Sequence, residues 1–385
     1  MKVVLAPDSF KESMSAAQAA AAMARGVRAV FPDAACVEVP MADGGEGTAD
    51  ALVAALGGRW RTVAAHDALG RPVDARYGLA PDGLAVIEVA AAVGIGLVAP
   101  AERDVAHSDS TGVADLVRDA LDTGATRLVV GLGGSATTDG GAGFLAGLGA
   151  VWLDASGRRL VPTPAGLAAL DRVDLSGLDP RLRAVTIELA CDVTNPLLGP
   201  SGAAAVFGPQ KGATPAQVPV LDGVLARVAD ALVAAGRPDV RELPGAGAAG
   251  GLGAAFLTLG ARLRPGVEVV AEAVGLDAAV AGADLVLTGE GSLDAQTLAG
   301  KAPAGVADVA ARHGVPVIAF AGRLGPGADS LVGRGFVAVV PIVAEPGDLS
   351  VALRDGEANL ERSVATVMRL VGLNLSGAGE RWCRG

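Results

Sequence analysis

Aromatic side chains make up 3% of the 385 residues; the tryptophans are Trp60, Trp152 and Trp382, and Tyr77 is the single tyrosine. So few rings cannot build a stacking platform for single-stranded nucleic acid, and a core has to be packed from Ala, Val and Leu. Basic charge is short too: 31 Lys and Arg stand against 42 Asp and Glu, a formal net charge of -11. Neutralising a polyanion needs clustered Lys and Arg, so no nucleic-acid partner is expected, although a small anion can still be held by local cations and helix ends. Cys36, Cys191 and Cys383 are odd in number and form no CxxC pair, which points to a reducing compartment and away from a disulfide framework or a zinc site. His66, His107 and His313 lie far apart and read as surface or loop residues rather than ligands. Apolar runs are broken by Gly, Asp or Arg before membrane-spanning length, and the opening MKVVLAPDSFK turns polar too soon after Leu5 for a signal peptide. A cytoplasmic protein without membrane contact is expected. No Walker sequence GxxxxGKS/T, GxSxG elbow, HExxH or kinase HRD set occurs, so any phosphate site must be an uncommon one.

Glycine is what the chain has in excess: 55 residues, about twice the ordinary share, without a collagen period. The stretch TRLVVGLGGSATTDGGAGFLAGLG, residues 126–149, reads as strand, glycine-rich turn and helix. Such a turn brings backbone N–H groups to a helix N-terminus, a ready anion site. Gly133, Gly134, Ser135 and Thr137 are then candidates to contact phosphate, and Asp139 to hold a metal ion that bridges phosphates. The alternative is a tight β–α turn in which Thr138 or Asp139 is an ordinary N-cap.

A βα rhythm opens the chain. A strand at 3–6 precedes a helix marked by Ser15 and Gln18 at capping-box spacing, with Met14, Ala17, Ala21, Ala24 and Val27 as its apolar stripe; a strand at 36–39 and a helix at 49–56 follow. Residues 60–90 read as a hairpin-like set of short strands, 151–182 as a long irregular connection, 185–191 as a strand ending at Asp192, and 216–235 as a helix. From about 265 the rhythm returns, with strands at 283–287, 315–320 and 336–342, Pro303 as a first helical residue and a last helix at 358–371. The tail from Leu373 is expected to fray. The expected fold class is α/β: a Rossmann-like, doubly wound parallel-sheet domain formed by both chain ends, 1–60 and 265–385, with a second α/β domain inserted at 61–264.

In the flanking domain the segments PDSFKE, MADGGEG and TGEGSLD read as loops at the carboxyl ends of parallel strands, where ligands bind in such sheets. They place Asp8, Lys11, Asp43, Glu46, Glu290 and Asp294 on one rim, with Ser9, Gly44 and Gly45 beside them. Carboxylates and a lysine among glycines suit a magnesium–nucleotide or sugar-acid site, while each carboxylate alone is equally a helix cap. Lys11 either neutralises a transferring phosphoryl group, binds a substrate carboxylate or is a solvated charge. Lys301, just before the Pro303 helix, either pairs with an anion there or is a surface lysine. Asp192 with Asn195 offers oxygen ligands for Mg2+, or an Asx-turn. Lys211 in FGPQKG is a further phosphate candidate. GAGAAG at 245–250 matches GxGxxG only weakly, and Gly250 and Gly253 serve either phosphate approach or close packing.

Taken together, APDSFKES (6–13), PMADGGEGT (40–48), GLGGSATTDGGAG (131–143), CDVTNPLLGPSGAAAVFGPQKGA (191–213), PGAGAAGGLGAA (244–255) and TGEGSLDAQTLAGKAPAGVA (288–307) resemble the bacterial class I glycerate kinases, nearly end to end and in the same block order. SDSTG at 108–112 departs from that pattern, with Ser110 where a glycine is expected. The resemblance implies a kinase that uses ATP and Mg2+ on D-glycerate in a cleft between two domains, giving 2-phosphoglycerate, with 3-phosphoglycerate as the open alternative product. On the combined reading, Lys11, Asp192 and Asp294 are the catalytic candidates. ATP falls to Gly133, Gly134, Ser135, Thr137, Gly250, Gly253 and Lys211. The substrate falls to Asp8, Ser9, Gly44, Gly45, Glu46, Glu290 and Lys301, and the metal to Asp43, Asp139 and Asp192. A homodimer stays open. The competing readings are a non-catalytic sugar-acid sensor on the same fold and, on GAGAAG alone, a nicotinamide dehydrogenase.

Overall fold

Two short parallel strands bracket the first helix: β1 (Lys2–Leu5), α1 (Ala16–Arg28) and β2 (Ala35–Glu38). The computed structural model describes residues 1–45, 47–295, 297, 301–345 and 347–375. Next come α2 (Thr48–Ala55), β3 (Arg59–His66), β4 (Pro72–Leu79), β5 (Leu84–Glu88), α3 (Ala90–Val93), α4 (Thr111–Asp122), β6 (Arg127–Gly131), α5 (Ala142–Gly147), β7 (Val151–Leu153), β8 (Arg172–Asp174), β9 (Thr186–Ala190), α6 (Ala203–Phe207), α7 (Val218–Ala234), α8 (Ala248–Thr258) and β10 (Arg262–Arg264). The last part holds α9 (Gly266–Ala273), α10 (Leu276–Val280), β11 (Leu285–Leu293), α11 (Ala302–Arg312), β12 (Val317–Leu324), β13 (Phe336–Pro341), α12 (Leu349–Arg354) and α13 (Gly356–Leu375). Two compact units result, one from 1–43 with the residues from 267 onward, the other from 44–266.

The first unit is a five-stranded, all-parallel sheet in the order β13-β12-β11-β1-β2. Counted along the unit's own chain, that is the doubly wound order 2-1-3-4-5, whose direction reverses between β1 and β11. Val3, Val4 and Leu5 are fully buried, as a parallel strand covered on both faces requires. α1 starts at the capping box legible in the sequence: Gln18 N donates to Ser15 Oγ at 3.2 Å and Ser15 N to Gln18 Oε1 at 2.9 Å. Met14, Ala24 and Val27 of the expected stripe are buried, but Ala17 is exposed, and Ala19, Ala20 and Met23 enter the core beside the stripe. Pro303 stands second in α11, after Ala302, rather than first. The segment TGEGSL is not a loop: it continues β11 to Leu293, because pairing with β12 persists through Glu290↔Ala321 and Leu293↔Leu324.

The second unit is a six-stranded mixed sheet, β10-β9-β6-β5-β4-β3, parallel from β10 to β5 and antiparallel across β5, β4 and β3. The core is mainly Ala, Val and Leu, with Phe144 and Phe256 packed at a 4.2 Å centroid distance and a buried Trp152 whose Nε1 donates to Ala142 O. The 151–182 connection is less irregular than expected, since β7 and β8 pair antiparallel within it. α2 packs on this unit rather than on the flanking one: Glu88 Oε1 accepts from Ala49 N at 2.9 Å, and Val53 fills the space left open at Gly78. The handover between units therefore falls at 43/44, earlier than 60. No helix among the described residues is long and apolar enough to cross a membrane.

Candidate active site

In the first unit, polar groups gather at the β1/β11 reversal. Asp8 follows β1 and is tied to β11 through its N–H, which donates to Gly289 O at 2.8 Å. Its side chain is only 8% exposed and accepts from Ser9 N at 2.5 Å. Burial pushes the Asp8 carboxyl up to about 7; the Asp43 and Glu290 carboxylates add to the rise, while the Ser9 N–H and Lys11 oppose it. Glu290, on β11, is raised by burial and drawn back by Lys301, whose Nζ lies 3.5 Å from both carboxylate oxygens. Thr297 Oγ1 donates to Glu290 Oε1 at 3.2 Å. Lys301 is the N-cap residue of α11. Lys11 is exposed on the turn after Phe10, over Gly291. Asp8, Ser9, Lys11, Asp43, Glu290 and Lys301 are thus brought together. Asp294 follows the last residue of β11 and is tied to Glu290 through Thr297, whose Oγ1 accepts from Asp294 N at 3.2 Å while donating to Glu290. Glu46 lies outside the described residues.

In the second unit the glycine-rich turn connects β6 to α5. Gly133 and Gly134 are exposed; Ser135, Thr137, Thr138 and Asp139 are buried. The expected anion site at the α5 N-terminus is not there. α5 is six residues long, and its leading amides are taken: Gly141 N and Gly143 N donate to Asp139, and Phe144 N to Ser110 Oγ. Asp139 Oδ2 also accepts from Ser110 N and Oγ at 2.9 and 2.7 Å. Three donors on Oδ2 and one on Oδ1 hold this fully buried carboxylate against the start of α5, the arrangement of a capping group rather than of a metal ligand. Burial, with Asp109 next in weight, raises its pKa. Ser110 thus joins this network through both its N–H and its Oγ.

Gly250 and Gly253 do not face a ligand either. A side chain at Gly250 would collide with Thr137 O, and one at Gly253 with Gly245 O. Gly250 (φ 70°) follows Ala249 (φ 51°) and precedes Gly251 (φ 91°), three left-handed residues in a row that let this turn lie against Thr137–Gly140. The link is explicit in Gly140 N donating to Gly250 O at 3.0 Å. The two glycines serve backbone approach, not phosphate contact. Lys211 is 2% exposed, and its Nζ donates to Ser135 Oγ at 2.9 Å and Thr137 O at 2.7 Å, so it is aimed at the turn itself. Gly44 and Gly45 lie beside Gly131 and Gly133 at the carboxyl end of β6.

Asp192 is exposed after β9, and its Oδ1 accepts from Gly266 N, the first residue of α9, at 3.1 Å. Asn195 Nδ2 donates to Ser201 O at 2.7 Å and shapes its own loop. Mg2+ is usually held by one or two carboxylates together with substrate phosphates. Asp8, Asp43 and Glu290 fit that chemistry, although no group of three or more His, Cys, Asp or Glu among the described residues forms a ready-made cage. The sequence reading missed Thr297, Glu88 and the Ser110–Asp139 pair. Glu88 ends β5, Ser110 stands 29 residues before Asp139, and Thr297 lies 7 residues after Glu290 in a stretch read for its carboxylates and lysine.

The profile of the Glycerate kinase family matches residues 3–372. The glycerate 2-kinase of Escherichia coli K12 is 44% identical over 381 residues, 98% of this chain and 100% of that protein. The glycerate kinase of Bacillus subtilis 168 is 47% identical over 369 residues, 95% of this chain and 97% of that protein. A crystal structure of a protein designated glycerate kinase 2 from Salmonella typhimurium LT2 superposes with a TM-score of 0.89 at 45% identity, covering 97% of this chain and 99% of that one. Agreement over nearly the full length, in sequence and in backbone alike, means that the chain belongs to the glycerate kinase family.

Proposed function

We propose that this protein transfers the γ-phosphoryl group of ATP to D-glycerate and forms 2-phosphoglycerate. The observation that carries the reading is the carboxylate set at the β1/β11 reversal, Asp8 with Asp43 and Glu290, flanked by Lys11 and Lys301. Phosphoryl transfer asks a protein mostly for positioning and for charge that meets the equatorial oxygens. Lys11 supplies such a charge from an exposed turn. Lys301, at the head of the eleven-residue α11, is suited to the substrate carboxylate. Asp8, Ser9 and Glu290 suit the substrate hydroxyls. Exposed Gly133 and Gly134 offer backbone to the ATP phosphates, with Ser135 and Thr137 shaping the turn behind them. Asp43 or Asp192 is proposed to hold Mg2+, which when bound would neutralise phosphate oxygens. Asp192 and Asp294 join Lys11 as proposed catalytic residues. A cytoplasmic setting, in which Cys36 and Cys191 stay reduced, belongs to the same reading.

The test is ADP release from ATP with D-glycerate and Mg2+, run beside a second assay coupled to enolase without a mutase. Enolase acts on 2-phosphoglycerate directly, so both signals should appear together and vanish with a chelator. ADP release with a silent enolase assay would assign the 3-phosphate instead. No ADP release at millimolar glycerate would sink the proposal.

A further inference from the structure

We infer that Lys211 is a positioning residue: it pins the glycine-rich turn in one shape and so sets how tightly that turn holds the nucleotide. The inference rests on the reading of Gly133 and Gly134 as phosphate contacts. Lys211 sits at the end of a tight 3-10 turn, Pro209–Lys211, far along the chain from the segment it reaches. That turn is itself anchored: Lys211 N donates to Gly208 O at 3.0 Å, and Arg103 Nη1 to Gln210 O at 3.0 Å. From this base the side chain bonds two atoms of the turn two residues apart, Ser135 Oγ and Thr137 O. The neighbouring backbone is fixed from other directions, with Ile95 N donating to Gly134 O at 2.7 Å, Ala136 N to Val93 O at 2.8 Å, and Gly140 N to Gly250 O at 3.0 Å. Lys211 completes that set at Ser135 and Thr137, directly after Gly133 and Gly134.

Direct contact with a ligand is the rival role, and the geometry disfavours it. The amine is buried, and both of its bonds end on protein. Burying it carries a desolvation penalty that a methionine of equal length would avoid. What the amine adds is direction. A neutral lysine amine keeps two N–H donors, which matches the two acceptors present, so the pin survives loss of the charge.

The experiment compares Lys211→Met, which keeps the length and loses the donors, with Ser135→Ala, which keeps the lysine and loses one acceptor. Amide hydrogen exchange over residues 133–138 reads the pin, and calorimetric ATP binding and steady-state kinetics read its consequence. Loss of two buried hydrogen bonds should speed exchange and weaken ATP binding by about tenfold or more. The turnover number at saturating ATP and the Michaelis constant for D-glycerate should stay within roughly threefold, and the Ser135→Ala effect should not add to that of Lys211→Met. Unchanged exchange in both variants would overturn the pin. Faster exchange with unchanged ATP binding would show that the turn is not the nucleotide site, removing that reading and the effect on affinity together. A hundredfold loss of turnover with normal ATP binding and normal exchange would make Lys211 a direct contact. Should Lys211→Met fail to fold, Ser135→Ala alone still decides between these outcomes.

Discussion

Between about pH 7 and its ordinary value of 10.5, Lys211 should carry fewer protons in the folded chain than in the unfolded one, because burial pushes its pKa down to about 7 against the pull of Asp139. Where the unfolded chain binds more protons, stability rises with pH. The thermal midpoint of the wild type should therefore gain on that of Lys211→Met as pH climbs from 7 to 10. Parallel curves in a melting series would return Lys211 to an unshifted amine. Lys11 tests the opposite kind of lysine, exposed and poised for charge. Lys11→Met should lower turnover by about a hundredfold if the ammonium meets the developing phosphoryl charge, whereas a raised Michaelis constant for glycerate at normal turnover would assign it to substrate binding. Both lysines were legible as candidates. What the sequence could not tell was which one is solvated, since Lys211 is buried against a turn more than 70 residues earlier in the chain.

At the scale of elements, the contact between the two glycine turns is the most demanding fit. Gly250→Ala drives a methyl into Thr137 O and should cost about 1–3 kcal/mol, as overpacking does. Ala249→Gly should act in reverse, because a left-handed alanine is strained by more than the extra freedom that glycine brings to the unfolded chain; a gain of about 0.5 kcal/mol is expected. Denaturant titration of the two variants measures both, and a neutral Gly250→Ala would show that the turns can move apart. Most elements could be read directly, because β-branched runs such as those of β1, β6 and β9 and the Ser15–Gln18 cap are local signals. The full width of the buried face of α1 could not, since a helix that is mostly alanine offers little polar contrast between its faces. The end of β11 was hidden for a related reason: the glycines of TGEGSL look like a turn, and only pairing with β12 makes them a strand. The capping role of Asp139 was legible as an alternative, but not its partner Ser110, 29 residues earlier.

For the whole molecule, the unit formed by 44–266 is continuous in sequence and holds its own core, from Tyr77 and Leu128 to Trp152 and Phe256. Expressed alone, that fragment should give one cooperative melt with mixed α/β circular dichroism. A non-cooperative melt with exposed apolar surface would mean that it depends on the flanking unit. That the chain ends come together was legible from the βα rhythm returning near 265, a pattern that spans whole elements. The place of α2 was not, because its eight residues follow β2 and only its contacts with β4 and β5 assign it. The first unit also has a consequence in time. Lys2 and the segment it joins at Asp284 lie 282 residues apart. At roughly 5–20 residues per second of synthesis, the opening strand waits about 15–60 s for its β11 neighbour to leave the ribosome. Throughout that interval Val3, Val4 and Leu5 have at most one partner strand, while the intervening unit can already fold, so β1 stays open to wrong strand pairing for that long.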